Sequence, residues 1–317
     1  MARTRIHELD ALRGFAVGGI MLVNTWQHAV NGVPADARNS LDWTMQAVFQ
    51  GRFYPIFSLL FGISFVLFLD RAGRWRLLPR LFWLFWIGIV QHSFYEGEVL
   101  TDYAFYGLLV LLPASFLSSG PPVLILGLAV LGWALGQANS ALLIIPGLFL
   151  IGMALMQMRP SPRLLWPGFA VSAVATALLT AAWEMTHAGL LYRLAALTGA
   201  AALTTGMLLL LRSRWSRPIS AVLEPLGKMA LTNYVTGTVV ITLTGALLHA
   251  DPTRLSVLAI AAVTLAAQAE AGRWWLARYR YGPLEWVWRC LTWFRPVPNR
   301  LESGRDHHRP LPDRGLS

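Results

Sequence analysis

Apolar runs about 20 residues long, separated by charge, proline or glycine, dominate this chain, and a helix needs about 20 such residues to cross the hydrocarbon core of a bilayer. Ten can be drawn in the 317 residues, at 10–30, 52–70, 77–95, 99–118, 121–138, 140–158, 164–183, 190–211, 228–249 and 254–276. Water is missing inside a bilayer, so each run has to satisfy its own backbone groups and is predicted as a helix. The expected fold is all-α: a polytopic membrane helix bundle of about ten transmembrane helices. The least defined boundary separates 121–138 from 140–158. Gly136, Gln137, Ala138, Asn139 and Ser140 are the only break there, and Pro146 interrupts the second run, so one long re-entrant element is the alternative.

Composition agrees. Hydrophobic residues make up 56% of the chain and charged residues 13%, with a mean hydropathy of +0.51, whereas soluble domains carry about 25% charged residues. A soluble or disordered chain is excluded on that ground. Cys290 is the single cysteine, which leaves no internal disulfide and no multi-cysteine zinc or iron–sulfur site, and no bound metal is expected. The net charge of +10 would suggest nucleic acid in a soluble protein. Here the arginines fall between the apolar runs, where they report topology, and no nucleic-acid partner is expected.

With ten spans and a cytoplasmic N-terminus, twenty arginines fall on the inner side and four (Arg38, Arg52, Arg193, Arg254) on the outer side. Both termini are therefore expected in the cytoplasm. Arg3 and Arg5 ahead of an apolar run, with Ala35-Asp36-Ala37 beyond it, imitate a secretory signal. The run is longer than a signal core of about 7 to 15 residues and opens with Asp10 and Arg13, so the first helix is expected to stay. One membrane domain is expected over 1–295. Within it, Leu284, Trp286, Val287, Trp288, Leu291 and Trp293 suggest a short interfacial helix near 282–294, and 296–317 reads as a disordered cytoplasmic tail.

Polar side chains inside spans are costly and either face the bundle interior or mark a site. Arg13 and Asn24 are eleven residues apart, which returns to within about 20° of one helix face, roughly 16 Å further along. His28 and Asn31 continue this seam. The bland alternative is an Asp10–Arg13 pair capping the inner end, with Asn24 bonded to a neighbouring helix. Gly14 and Gly18 form a small-xxx-small face for close packing. His92 and Glu96 lie one helical turn apart at the outer end of the third run, where a carboxylate can orient a histidine as a general base. A solvated interfacial histidine has the same spacing. Asp102 opens the fourth run, as partner to that histidine or as a plain N-terminal cap. Arg71, Arg74 and Arg76 fit the phosphates of an acyl-CoA, or serve topology alone. No phosphate-cradling glycine loop, HExxH or GxSxG is present.

The segments Leu9-Asp10-Ala11-Leu12-Arg13-Gly14-Phe15-Ala16 with Asn24, Phe57-Ser58-Leu59-Leu60-Phe61-Gly62, and His92 followed by Val99-Leu100-Thr101-Asp102-Tyr103-Ala104 resemble the YeiB-like family of bacterial membrane proteins. Ala230-Leu231-Thr232-Asn233-Tyr234 and Tyr281-Gly282-Pro283-Leu284-Glu285-Trp286-Val287-Trp288-Arg289 are similar to its C-terminal signatures. Residues 119–220 carry no matching motif. The resemblance implies a multi-pass protein of the bacterial cytoplasmic (inner) membrane, within the transmembrane acyltransferase superfamily. It also implies an O- or N-acyltransferase that moves an acyl group from a cytosolic thioester to a sugar or other small acceptor at the outer face. In the related O-acyltransferases an arginine of the first helix is followed after ten residues by a catalytic histidine. Here Asn24 stands at that place, and an amide cannot act as a base. Arg74-Trp75-Arg76 looks like their Arg-x-Arg pair.

The resulting expectation gives each residue a role. Arg74 and Arg76 hold the donor's phosphates, Arg13 and Asn24 line its channel, and His92, with Glu96 or Asp102, deprotonates the acceptor. Asp10 and His28 complete the polar seam, His28 being the second candidate base. No permanently bound cofactor is expected, acyl-CoA being a co-substrate, and the partners are the lipid bilayer and small-molecule donor and acceptor. The alternative is a transporter, or an export or immunity permease for a small metabolite or peptide, with the same seam lining its path.

Overall fold

The structure is a computed structural model that describes residues 2–117, 119–137 and 142–301. Among the described residues each apolar run is mainly helical. In chain order the helices are α1 (Ala2–Val30), α2 (Phe53–Ala72), α3 (Leu77–His92), α4 (Leu100–Ala114, with a π turn at Gly107–Leu111), α5 (Gly120–Gly136), α6 (Ile144–Met158), α7 (Leu165–Thr186), α8 (Gly189–Leu210), α9 (Ser216–Lys228), α10 (Ala230–Leu243), α11 (Leu255–Leu276) and α12 (Pro283–Trp293). Among the described residues no strand forms, only an isolated bridge between Tyr279 and Arg300. The fold is an all-α bundle. Ser40–Ala72, Pro162–Thr186, Gly189–Leu210 and Leu255–Leu276 are long and apolar enough to cross a membrane, and Leu100–Ala114, Gly120–Gly136, Ile144–Met158 and Ala230–Leu243 are shorter apolar helices. The expected break at Gly136–Ser140 lies partly in residues 138–141, outside the described residues.

Glycines let helix backbones touch. On α1, Gly14 lies against the Leu223 carbonyl of α9, and Gly227 of α9 lies against the Asp10 carbonyl, so a side chain at either position would meet backbone. Gly62 of α2 and Gly152 of α6 make the same reciprocal approach, to Phe149 and Leu59. Gly18, paired with Gly14 in the sequence reading, meets only Leu265 side-chain atoms at 3.7 Å. The close crossing of α1 is therefore made by one glycine on each helix.

Helix α9 lies between the apolar runs 190–211 and 228–249, where no spanning helix is predicted. Its Ile219, Leu223 and Leu226 recur at helical spacing and are shielded, while Arg217 and Lys228 are exposed. Helix α12 stands where the amphipathic segment was expected. Its Glu285 carboxylate accepts from Leu231 N (2.7 Å), Thr232 N (3.1 Å) and Thr232 Oγ1 (2.6 Å), so it caps α10. The following residues fold back onto the helix: Trp286 Nε1 donates to the Val297 carbonyl (2.7 Å) and Arg280 N to the Asn299 carbonyl (2.8 Å). The part of the expected tail at 296–301 is thus a packed strap, and 302–317 lie outside the described residues.

The opposite end of the bundle is clasped by buried polar groups. Asp42, 1% exposed, accepts from Trp26 Nε1 at 2.8 Å, forms a capping box with Asn39 and lies 3.4 Å from Arg254 Nε. Trp43 Nε1 donates to Glu184 at 3.0 Å. The segment 31–52 is tied down rather than slack. The core between these ends packs Phe61 on Phe149 (4.8 Å, stacked), with Tyr103 edge-on to Phe149 at 5.1 Å.

Candidate functional site: two cavities that share a wall

At the end of the bundle that holds the start of α1, a cavity of about 220 Å³ is walled by Phe57, Phe61, Phe65 and Leu84 and edged by Arg13, Arg80, Lys228 and Glu285. Each charge is placed by its helix. Arg13 Nη1 bonds Asp10 Oδ1 three residues earlier (2.9 Å), and its Nη2 crosses to Ser64 Oγ on α2 (2.6 Å). Lys228 pairs with Glu224 at 3.1 Å, and Glu224 also takes His7 Nδ1 at 2.9 Å. Arg80 differs: its guanidinium lies 3.7 Å over the Trp288 ring and 4.6 Å over Phe68, with no carboxylate in ion-pair range among the described residues. Among the described residues Arg80 is the cation on this rim without a carboxylate partner, and such a cation over apolar walls suits an anionic head with an apolar arm.

Two carboxyls near this end, both outside the spanning segments, are shifted. Burial raises the Glu285 carboxyl above its ordinary range, against the bonds from Thr232 and Leu231 that oppose the shift. At Glu224 burial acts upward too, but the hydrogen bonds from His7 and Lys228 hold it below the usual carboxylate range.

Toward the other end lies a cavity of about 670 Å³ whose polar groups include Asn24, Gln27, Gln50, Tyr54 and Tyr192. Arg193 lines it as well, and its Nη1 donates to the Gln137 carbonyl at 2.6 Å. Amides and phenols suit an uncharged, hydroxyl-rich molecule. Tyr103 and Tyr234 line both cavities. The Tyr103 hydroxyl bonds Ser58 Oγ (2.7 Å) and the Tyr54 carbonyl (3.3 Å).

The residues singled out by sequence are distributed over several places. Arg13 and Asn24 share a helix stripe but line different cavities, so they do not edge one channel segment together. Asp10 is buried against Arg13. His28 lines neither cavity and stands edge-on to His249 at 5.4 Å. Arg74 and Arg76 are exposed, Arg74 over Phe116 (4.3 Å) and Arg76 over Trp293 (5.0 Å), and neither lines the apolar cavity. Helix α3 stops at His92, so Glu96 does not follow it by a helical turn; both are exposed and no hydrogen bond joins them. Asp102 is half-buried in the first turn of α4. The cap of that helix is Glu98, which accepts from Leu100 N (2.7 Å) and Thr101 N (3.1 Å). Sequence reasoning gave no role to Arg80, Glu285, Trp288, Tyr103 or Tyr234, although the last four sit inside the motifs that carried the resemblance.

An all-α membrane helix bundle with two chambers, one rimmed by charged side chains and one lined by amides and phenols, that share the wall of Tyr103 and Tyr234 is the class these features define. Residues 157–295 match the family described as "Protein of unknown function (DUF418)". The chain is 33% identical over 349 residues to the uncharacterized 39.9 kDa protein in the amylase 3' region of Bacillus acidopullulyticus, covering 95% of this chain and 98% of that one. It is 26% identical over 379 residues to the uncharacterized protein YeiB of Escherichia coli strain K12, covering 90% and 95%. The chain belongs to this YeiB-like, DUF418 family. No solved structure matches it.

Proposed function

We propose that the chain is a multi-pass protein of the bacterial cytoplasmic membrane, with about ten crossings and both termini in the cytosol, that acts as an acyltransferase. The donor, a cytosolic acyl-CoA, enters the chamber edged by Arg13, Arg80 and Lys228. The acceptor, a sugar or other small neutral molecule, enters the chamber of Asn24, Gln27, Gln50 and Tyr192 from the outer side. One observation carries this reading: two chambers, one edged by Arg13, Arg80, Lys228 and Glu285 over apolar walls, the other lined by the amides and phenols of Asn24, Gln27, Gln50, Tyr54 and Tyr192 beside Arg193, back onto the same two tyrosines, Tyr103 and Tyr234. Transfer needs donor and acceptor held against each other. His92, Glu96 and Asp102 flank the loop whose Gly97 and Val99 rim the acceptor chamber, which keeps His92 the first titratable group to replace. A His92→Ala variant with intact transfer removes that residue from the mechanism without removing the class.

A permease for a small metabolite or peptide is the second reading, favoured by the same pair of tyrosines, since two chambers in line with a narrow wall between them also describe a gated path. Binding of acetyl-CoA and longer acyl-CoAs to purified, solubilised protein separates the two. Acyl transfer requires saturable micromolar binding that weakens at least tenfold in Arg80→Ala, whose guanidinium has no other anion to hold. The Arg74→Ala, Arg76→Ala double variant tests whether the exposed pair contributes. No binding at millimolar ligand turns the assignment to the permease.

A further inference from the structure

Tyr103 and Tyr234 line both chambers, yet their hydroxyls differ. That of Tyr103 is committed to Ser58 and Tyr54. Tyr234 is 7% exposed, and its hydroxyl is buried with no acceptor for its proton among the described residues, since the Val99 backbone beside it can only donate to the oxygen. A buried donor left unmade is costly and calls for an explanation in terms of what it awaits.

The residue is also held firmly. Glu285 caps the two residues at the start of α10, Asn233 Nδ2 donates to the Leu226 carbonyl (3.0 Å), and Gln268 Nε2 donates to the Asn233 carbonyl (2.9 Å). The turn that presents Tyr234 is therefore fixed from α9, α11 and α12 at once. A rigid, buried donor on the wall that two chambers share is the arrangement that stabilises developing charge.

We propose that the Tyr234 hydroxyl donates a hydrogen bond to the carbonyl oxygen of the acyl group in transfer. The assignment rests on the acyltransferase reading above. The acceptor's hydroxyl oxygen bonds to the thioester carbonyl carbon, and the carbonyl π pair moves onto oxygen, where Tyr234 meets it. The oxyanion then collapses, the carbon–sulfur bond breaks, and the departing thiolate takes up the proton that the acceptor's hydroxyl loses. Tyr234 keeps its own proton throughout, so no further co-reactant is needed.

The test uses full-length protein in nanodiscs, acetyl-CoA labelled with carbon-13 at the acetyl carbonyl and, for the rate measurement, a neutral monosaccharide mixture as acceptor. In wild type the bound carbonyl stretch lies at lower frequency than in Tyr234→Phe, which has the same shape without the donor. Thiol release from acetyl-CoA falls by about 10²–10³-fold in the variant, while the dissociation constant rises by about tenfold or less. Saturable binding with the same carbonyl frequency in both proteins, or an unchanged rate, overturns the role of Tyr234 and leaves the acyltransferase reading standing. Absence of binding in wild type overturns both. Folding provides a separate check: Tyr234→Phe unfolds at or above the wild-type temperature, because it removes an unmatched hydroxyl, whereas Tyr103→Phe unfolds below it. A Tyr234→Phe protein that melts well below wild type means that the hydroxyl already has a partner, and overturns the proposal.

Discussion

Arg80 and Trp288 hold each other by both ends: the guanidinium lies 3.7 Å over the indole ring, and the indole Nε1 donates to the Arg80 carbonyl at 2.8 Å. The pair joins the start of α3 to α12 and aims an unneutralised cation into the apolar chamber. Trp288→Phe keeps a ring under the guanidinium and loses the hydrogen bond, a cost of about 1 kcal/mol. Trp288→Ala loses packing as well, and about 3 kcal/mol is expected. Thermal unfolding in detergent should rank wild type above Trp288→Phe above Trp288→Ala. Equal unfolding temperatures for all three would mean that α12 is not fixed by this contact.

The backbone crossing of α1 and α9 yields a second prediction. An alanine at Gly14 or Gly227 meets a backbone carbonyl, which cannot swing aside as a side chain can, so each substitution should destabilise by about 1–3 kcal/mol or block accumulation of folded protein. Gly132→Ala meets nothing within 4 Å and should be neutral or stabilising by about 0.5–1 kcal/mol. Monodisperse yield and unfolding temperature measure both.

Acidification acts through Glu224, whose carboxyl is held below the usual range by His7 and Lys228. A depressed carboxylate contributes stability that is present above its unfolded value of about 4.3 and is lost as pH falls below it. The unfolding temperature of wild type should therefore drop between about pH 5 and pH 3 by more than that of Glu224→Gln. Parallel pH profiles would remove the His7–Glu224–Lys228 cluster from the account.

At the opposite end, Asp42 and Arg254 are 1% and 3% exposed. Removing one member of a buried pair strands the other, so Asp42→Ala should cost about 3–5 kcal/mol. Asp42→Asn keeps an acceptor for Trp26 Nε1 and should cost less. Matched losses in the two variants would show that the Trp26 hydrogen bond contributes nothing beyond the charge, and an Asp42→Asn protein as stable as wild type would show that the charge contributes nothing.

The helices were legible because their cause is local: a run of about 20 apolar residues has few other ways to satisfy its backbone. Helix α9 escaped because it is too polar to span and was judged only as a connection, although Ile219, Leu223 and Leu226 carried its period. The site was legible in part. Arg13 and Asn24 were found by their cost inside a membrane, but one stripe on one helix cannot tell whether its two ends open into one chamber or two. Arg80 was hidden among loop arginines, since what distinguishes it is Trp288, more than 200 residues away. The His92–Glu96 pairing assumed that α3 continues past His92; the chain leaves the helix there, and Glu98 turns inward to cap α4 instead.

Transfer across the bilayer tests the central claim most directly. Proteoliposomes would be given acetyl-CoA labelled in the acetyl group outside and a neutral monosaccharide mixture inside. The account predicts that label accumulates in the lumen as acetylated sugar, with free coenzyme A released outside, and that Arg80→Ala suppresses both. Sugar or label that crosses without forming an acetyl ester, or vesicles that release no coenzyme A, would contradict it.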